Sequence, residues 1–183
     1  MRRLSPSLHN VQWIGVMKSQ SNTAIVNPAS PSARWDTAEG LEPRRLEVNV
    51  IFTDPQATVA ALMTARSLAQ DLGACIRVRA AIAVPYALPL DEPPVSVRFT
   101  EGLIFDLVCR LELSTFEPSV HLYLCRDQIE TLLQVLRPNS LVVIAGRKRW
   151  WPPAERRMAK ALRSKGHRVV FIGLKRRTKS DLR

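Results

Sequence analysis

Gly146, Arg147, Lys148, Arg149, Trp150 and Trp151 stand between an apolar run, Leu141–Ala145, and the proline pair Pro152-Pro153. Three successive cations can neutralise a phosphate or carboxylate. Two adjacent indoles can stack on a base or a sugar ring. With one glycine, this loop argues against a cradle of backbone N–H groups, which needs close backbone approach. Contact with an anion would therefore fall to side chains. Two other readings stand beside this one. The loop is a solvated basic turn with a tryptophan packed on the next helix, or it is a protein contact, where Trp and Arg are common anchors. Asp54 ends another apolar run and precedes Pro55. It either hydrogen-bonds a ligand's base or hydroxyl, or it caps the helix that follows.

The remaining reactive residues form no catalytic set. His121 and His167 are isolated in sequence, with no Ser or Cys arrangement suggesting a triad. Cys75, Cys109 and Cys125 are an odd, scattered set inside apolar segments. That is neither a disulfide framework nor a zinc pattern, and buried reduced thiols are expected. A phosphoacceptor receiver domain would need an aspartate ending its third strand. Cys125-Arg126 holds that place, although Asp127 is close. The expectation is a protein that is not an enzyme, with no metal and no obligatory cofactor.

The elements that would position these residues follow from periodicity. Leu46–Thr53 reads as a strand with Leu46, Val48, Val50 and Phe52 on one face. A helix from Asp54-Pro55 to about Leu72 carries Leu62, Ala65, Ala69 and Leu72 at helical spacing and ends at Gly73. Cys75–Val84 is a second strand, and 85–97 is a proline-rich loop. Arg98–Leu113 is a helix with an apolar stripe of Leu103, Ile104, Leu107, Val108 and Leu111. Val120–Cys125 is a third strand, and Asp127 caps a helix over Gln128–Leu136. Leu141–Ala145 is the fourth strand. A basic helix over Ala154–Lys165 closes at Gly166, and Val169–Ile172 is the fifth strand. Five strands alternating with four helices predict a three-layer α/β sandwich around a five-stranded parallel sheet. A flavodoxin-like strand order or one of its relatives would fit. Ligands of such sheets bind beyond the carboxyl ends of the strands, over helix N-termini.

Charge sharpens the picture. The net charge of the 183 residues is +11, and residues 141–183 hold 14 basic and 2 acidic groups. Such asymmetry points to an anionic partner: nucleic acid, nucleotide, acidic protein or membrane surface. Arg156, Lys160 and Arg163 share one face of the basic helix, the ordinary pattern of a solvated side. No helix-turn-helix or RNA-binding signature accompanies it, so nucleic acid is the alternative partner rather than the first. Residues 1–44 are rich in Ser, Pro and Asn and read as a flexible leader, with a short strand over Val11–Met17 as the alternative. Residues 45–174 form the domain and 175–183 a basic tail. No apolar run reaches the roughly 20 residues of a membrane span, and a cytoplasmic protein without a transmembrane segment is expected.

Residues 46–174 resemble the universal stress protein (UspA-like) family. The resemblance is carried by Val48-Asn-Val-Ile-Phe-Thr-Asp54, by Ala60-Ala61-Leu62, Ala65, Leu68-Ala69 and Leu72-Gly73-Ala74, and by Ser140-Leu-Val-Val-Ile-Ala-Gly146. It implies a Rossmann-like binding module with a stress-response or transport-linked regulatory role. It places Asp54 and Val84 near a nucleotide base. It implies homodimerisation through the last strand, Val169, Val170, Phe171 and Ile172. Nucleotide-binding members carry Gly, two residues, Gly, nine residues, then Gly and Ser or Thr. Here Gly146 matches, whereas Arg149, Ala159 and Lys160 occupy the other three places. ATP or AMP is therefore off-pattern as a ligand.

Overall fold

The computed structural model describes residues 11–17, 46–116, 118–147 and 154–174. They form β1 (Val11–Met17), β2 (Glu47–Ile51), α1 (Pro55–Leu72), β3 (Cys75–Ala83), α2 (Val97–Arg110), β4 (Ser119–Cys125), α3 (Gln128–Val135), β5 (Leu141–Arg147), α4 (Ala154–Ser164) and β6 (Arg168–Leu174). A single 3₁₀ turn, Leu113–Phe116, follows α2. The sheet order is β1-β4-β3-β2-β5-β6. Strands β2 to β6 are mutually parallel, with Val48 opposite Ile76 and Leu141, and Val143 opposite Val170. The fold is a three-layer α/β sandwich.

Counting the parallel strands alone, the order is third, second, first, fourth, fifth. That is the order of a mononucleotide-binding half extended by two strands, and not the flavodoxin-like order. A further difference lies in the leader. Val11–Met17 pairs antiparallel with β4, from Val11 opposite Cys125 to Met17 opposite Val120. The register shifts between Ile14 and Val16, around Gly15, as a bulge would produce. The sheet therefore has six strands, because the outer edge of β4 offers a row of backbone partners that a β-branched, aromatic segment can take.

Each face of the sheet is covered by two helices. On one, Ala57, Ala61, Leu62, Ala65 and Ala69 of α1 and Ile104, Leu107 and Val108 of α2 pack on Val48, Val50, Val78 and Val143. Alanines along α1 let the helix sit close over the sheet. On the other, Leu132 and Leu136 from the α3 region and Met158, Ala159 and Leu162 of α4 pack on Ile51, Val142 and Ile144. Val142, Val143 and Ile144 are fully buried, as strands covered on both faces should be. Gly73 and Gly166 have positive φ (59° and 88°) and end α1 and α4. Two sequence expectations are corrected. Cys109 is exposed, because its neighbours Leu107 and Val108 take the inward face of α2. Leu46 and Leu72 are exposed as well, lying where the strand begins and the helix ends, at the rim of the layers. No helix among the described residues is long and apolar enough to cross a membrane.

Candidate functional site at the switch point

The chain leaves β2 toward one face of the sheet and β5 toward the other. Between these two neighbours the connections diverge, which opens a crevice at their carboxyl ends. The residues that border it come from β2–α1 and from β5–α4. Asp54 is the N-cap of α1: its Oδ1 accepts hydrogen bonds from Gln56 N and Ala57 N, both at 3.0 Å. Pro55 at the first helical position gives up an N–H that would have no partner there. The other carboxylate oxygen faces Arg147 at the end of β5, Oδ2 to Nε 3.7 Å. Arg147 also donates from Nη2 to Gln56 Oε1 at 3.3 Å. Thr53 donates its hydroxyl to Ala145 O at 3.0 Å, tying the two strand ends together. Asp54 is therefore both the helix cap and one half of a pair spanning the crevice. Arg147 remains more than half exposed, with a side-chain exposure of 58%. A pair this open holds weakly, and a ligand can exchange for one of its members.

Gly146 lies within β5, opposite Gly173, where α4 begins to cross the sheet. A Cβ there would lie 2.9 Å from Glu155 Cβ, 3.1 Å from its Cγ and 3.3 Å from its Cδ. The glycine is required by this close approach of the first turn of α4. Glu155 Oε2 is buried and has no hydrogen-bond partner. A buried acceptor without a donor is costly, so its position calls for a reason.

The other expected residues divide. Lys148, Arg149, Trp150 and Trp151 lie outside the described residues. Val84 is buried just past β3, and its backbone is committed to the β4 side. Its N–H bonds Cys125 O at 2.8 Å, and its carbonyl accepts from Arg126 Nη1 at 2.9 Å. Arg126 also donates to Pro85 O and to Leu88 O, and its guanidinium lies 5.1 Å from the Tyr86 ring centroid. Val84 is thus part of an anchored loop, apart from the Asp54–Arg147 pair. Val169, Val170, Phe171 and Ile172 lie on β6, half-buried, at an edge of the described sheet. Arg156 covers Phe171 at 5.8 Å and Arg163 Nη2 donates to Val169 O at 2.8 Å.

A polar cluster that the sequence reading missed crosses β2, β3 and β4. Arg79, nearly buried, donates from Nε to Asn49 Oδ1 and from Nη1 to Tyr123 Oη, each at 2.7 Å. Arg77 donates to Glu47 at 3.3 Å and to Ser119 Oγ at 2.9 Å. Ser119 Oγ is 3.2 Å from His121 Nε2. Burial, then the charges of Arg79 and Arg77, lower the His121 pKa to about 3, so the ring is neutral. Burial raises the Tyr123 pKa, which keeps the phenol a donor and acceptor. The signal available was the alternation Arg77, Arg79 inside an otherwise apolar strand, which puts both on one face. Glu155 was equally open to notice, nine residues after Gly146, but nothing in spacing shows which way a helical side chain folds.

Among the described residues, no three His, Cys, Asp or Glu side chains are grouped to hold a metal ion. The carboxyl ends of β2 and β5 offer a carboxylate and an exposed guanidinium, a set suited to recognition by charge and hydrogen bonds. No protein-family model matches the chain, and no curated protein matches it in sequence.

Proposed function

We propose that this protein is a non-catalytic binding or adaptor module of universal-stress-protein-like type. It meets an anionic ligand or partner at the rim formed by Asp54, Gly146 and Arg147. The observation that carries the reading is the Asp54–Arg147 pair across the crevice where the connections diverge. Arg147 is the exposed member and supplies the contact to the anion. Homodimerisation through β6, a cytoplasmic location and a stress or transport-linked regulatory role belong to the same proposal. They are supported by the family resemblance and, for the dimer, by the half-buried apolar residues along that edge.

The experiment is a titration of ATP, AMP and a short DNA duplex into the full chain at two salt concentrations. Saturable nucleotide binding weakened about tenfold by Arg147→Gln and by Asp54→Ala supports the reading. Nucleotide binding indifferent to both substitutions overturns it. A second reading, nucleic-acid association, is favoured by the exposed cations Arg156, Arg157, Lys160 and Arg163 on α4. It predicts duplex binding with a steep salt dependence, since each neutralised phosphate releases counterions. Substitution of Arg156, Lys160 and Arg163 by Gln would then reduce that slope, whereas Arg147→Gln alone would change it little.

A further inference from the structure

We propose that the polar cluster on β2, β3 and β4 is a second binding site, where the buried guanidinium of Arg79, backed by Arg77 and Arg137, holds a small oxyanion, a phosphate or a carboxylate. The cluster lies toward the amino ends of these strands and is independent of the Asp54–Arg147 pair at the carboxyl ends of β2 and β5.

Strand register assembles the cluster. Arg77 lies opposite Asn49 and Ser119, and Arg79 opposite Ile51 and His121, so both arginines project from one face of the sheet. The apolar cluster that includes α3 and α4 takes Ile51, Ala81 and Cys125 from the carboxyl ends of the same strands and leaves the amino half of this face to polar side chains. Arg79 is the residue that calls for a ligand. It is only 8% exposed, and both of its hydrogen-bond partners, Asn49 Oδ1 and Tyr123 Oη, are uncharged. Among the described residues no carboxylate pairs with it: Glu47 pairs with Arg77 and Arg137 instead. A guanidinium cannot shed its proton to escape burial, so a buried one needs a counter-charge. Asn49 and Tyr123 engage Nε and Nη1, and Nη2 has no hydrogen bond among the described residues. The sealed, unpartnered side-chain atoms of those residues are Glu155 Oε2 and His167 Nδ1, so Arg79 Nη2 still meets solvent. An oxyanion there gains a charge-assisted hydrogen bond where water screens little. Arg77 and Arg137, with side-chain exposures of 21% and 52%, mark the side from which it enters. The surroundings are positive: after burial, the charges of Arg79 and Arg77 are what hold His121 unprotonated. A guanidinium fork suits phosphate and carboxylate oxygens alike, so the shared chemistry is that of an oxyanion.

The test titrates the full chain with inorganic phosphate at neutral pH and constant ionic strength, by calorimetry, and follows the His121 ring protons by NMR. A chain of net charge +11 attracts anions at many places, so the ring signals are what report this one. They are expected to shift saturably, along the calorimetric curve. Arg79→Met should weaken phosphate binding at least about tenfold, since it removes the charge and the fork together. Arg137→Gln changes a half-exposed side chain and spares the fold, and it should weaken binding about threefold. It decides the matter if Arg79→Met does not fold. Acetate in place of phosphate identifies the class: tighter phosphate assigns a phosphate ligand, tighter acetate a carboxylate. If the His121 signals shift saturably with neither anion, or if Arg137→Gln or a folded Arg79→Met binds as tightly as the wild type, the inference fails. If Arg147→Gln and not Arg137→Gln weakens the binding, the anion belongs to the crevice, and this inference fails while the crevice reading stands.

Discussion

Acidification should destabilise this protein through one identifiable side chain. His121 on β4 is part-buried beside two arginines, and its pKa falls from 6.5 to about 3, first through burial and then through Arg79 and Arg77. The unfolded chain binds a proton at this ring near pH 6.5, whereas the folded chain refuses it until about pH 3. Between those values the unfolded state holds more protons, so stability falls as the pH falls. The contribution is complete above the unfolded pKa and is lost as pH drops toward the folded one. Each unit is about 1.4 kcal/mol, so between about pH 7.5 and about pH 4.5 the ring accounts for about 2–3 kcal/mol. His121→Gln removes the titration while keeping a polar group near Ser119. Urea unfolding of both proteins at the two pH values is the assay. His167, which burial shifts in the same direction, is present in both proteins and cancels in the difference. The wild type should lose about 2–3 kcal/mol more than the variant on acidification. Equal losses, or a wild type that gains stability in acid, would refute a neutral His121 held between arginines.

Three further outcomes follow from the geometry. Tyr123→Phe strips the phenol from the Arg79 guanidinium and should cost about 1.5–3 kcal/mol by denaturant unfolding. Arg79→Met/Tyr123→Phe should cost less than the sum of the single changes, since the two groups answer each other. Gly146→Ala should cost about 1–3 kcal/mol because the new methyl meets Glu155 Cβ at 2.9 Å, and adding Glu155→Ala should recover only a small part of it, since alanine keeps that Cβ. Asp54→Ala should lower stability by about 1 kcal/mol through the lost cap of α1, whereas Asp54→Asn keeps the cap and loses only the weak attraction to Arg147. If Asn proves as damaging as Ala in unfolding experiments, the charge and not the cap carries Asp54's role.

Of the two roles open to Asp54, the structure shows the helix cap, and it adds an ion pair with Arg147 that the sequence did not suggest, so local and distant causes combine at one side chain. Capping depends on residues two and three positions away, so Asp54-Pro55 before an apolar helical stripe sufficed to expect it. The pairing with Arg147 spans 93 positions and needed the sheet order. The same distinction explains Val84. Its burial at a strand end could be read from the pattern, but its backbone answers to Cys125 and Arg126, and no spacing reveals which neighbour a strand end will choose.

What the chain determined locally was the alternation of elements, the caps at Asp54 and Asp127, the glycine ends of α1 and α4, and the inward stripes. Each of these depends on φ/ψ preference or on a period of two or 3.6 residues, which a short window contains. What only the tertiary structure decided was the strand order, the docking of Val11–Met17 on β4, the Arg79 cluster and the folding of Glu155 over Gly146. These are set by contacts between residues far apart in sequence, where burial and charge are defined only once the layers have closed.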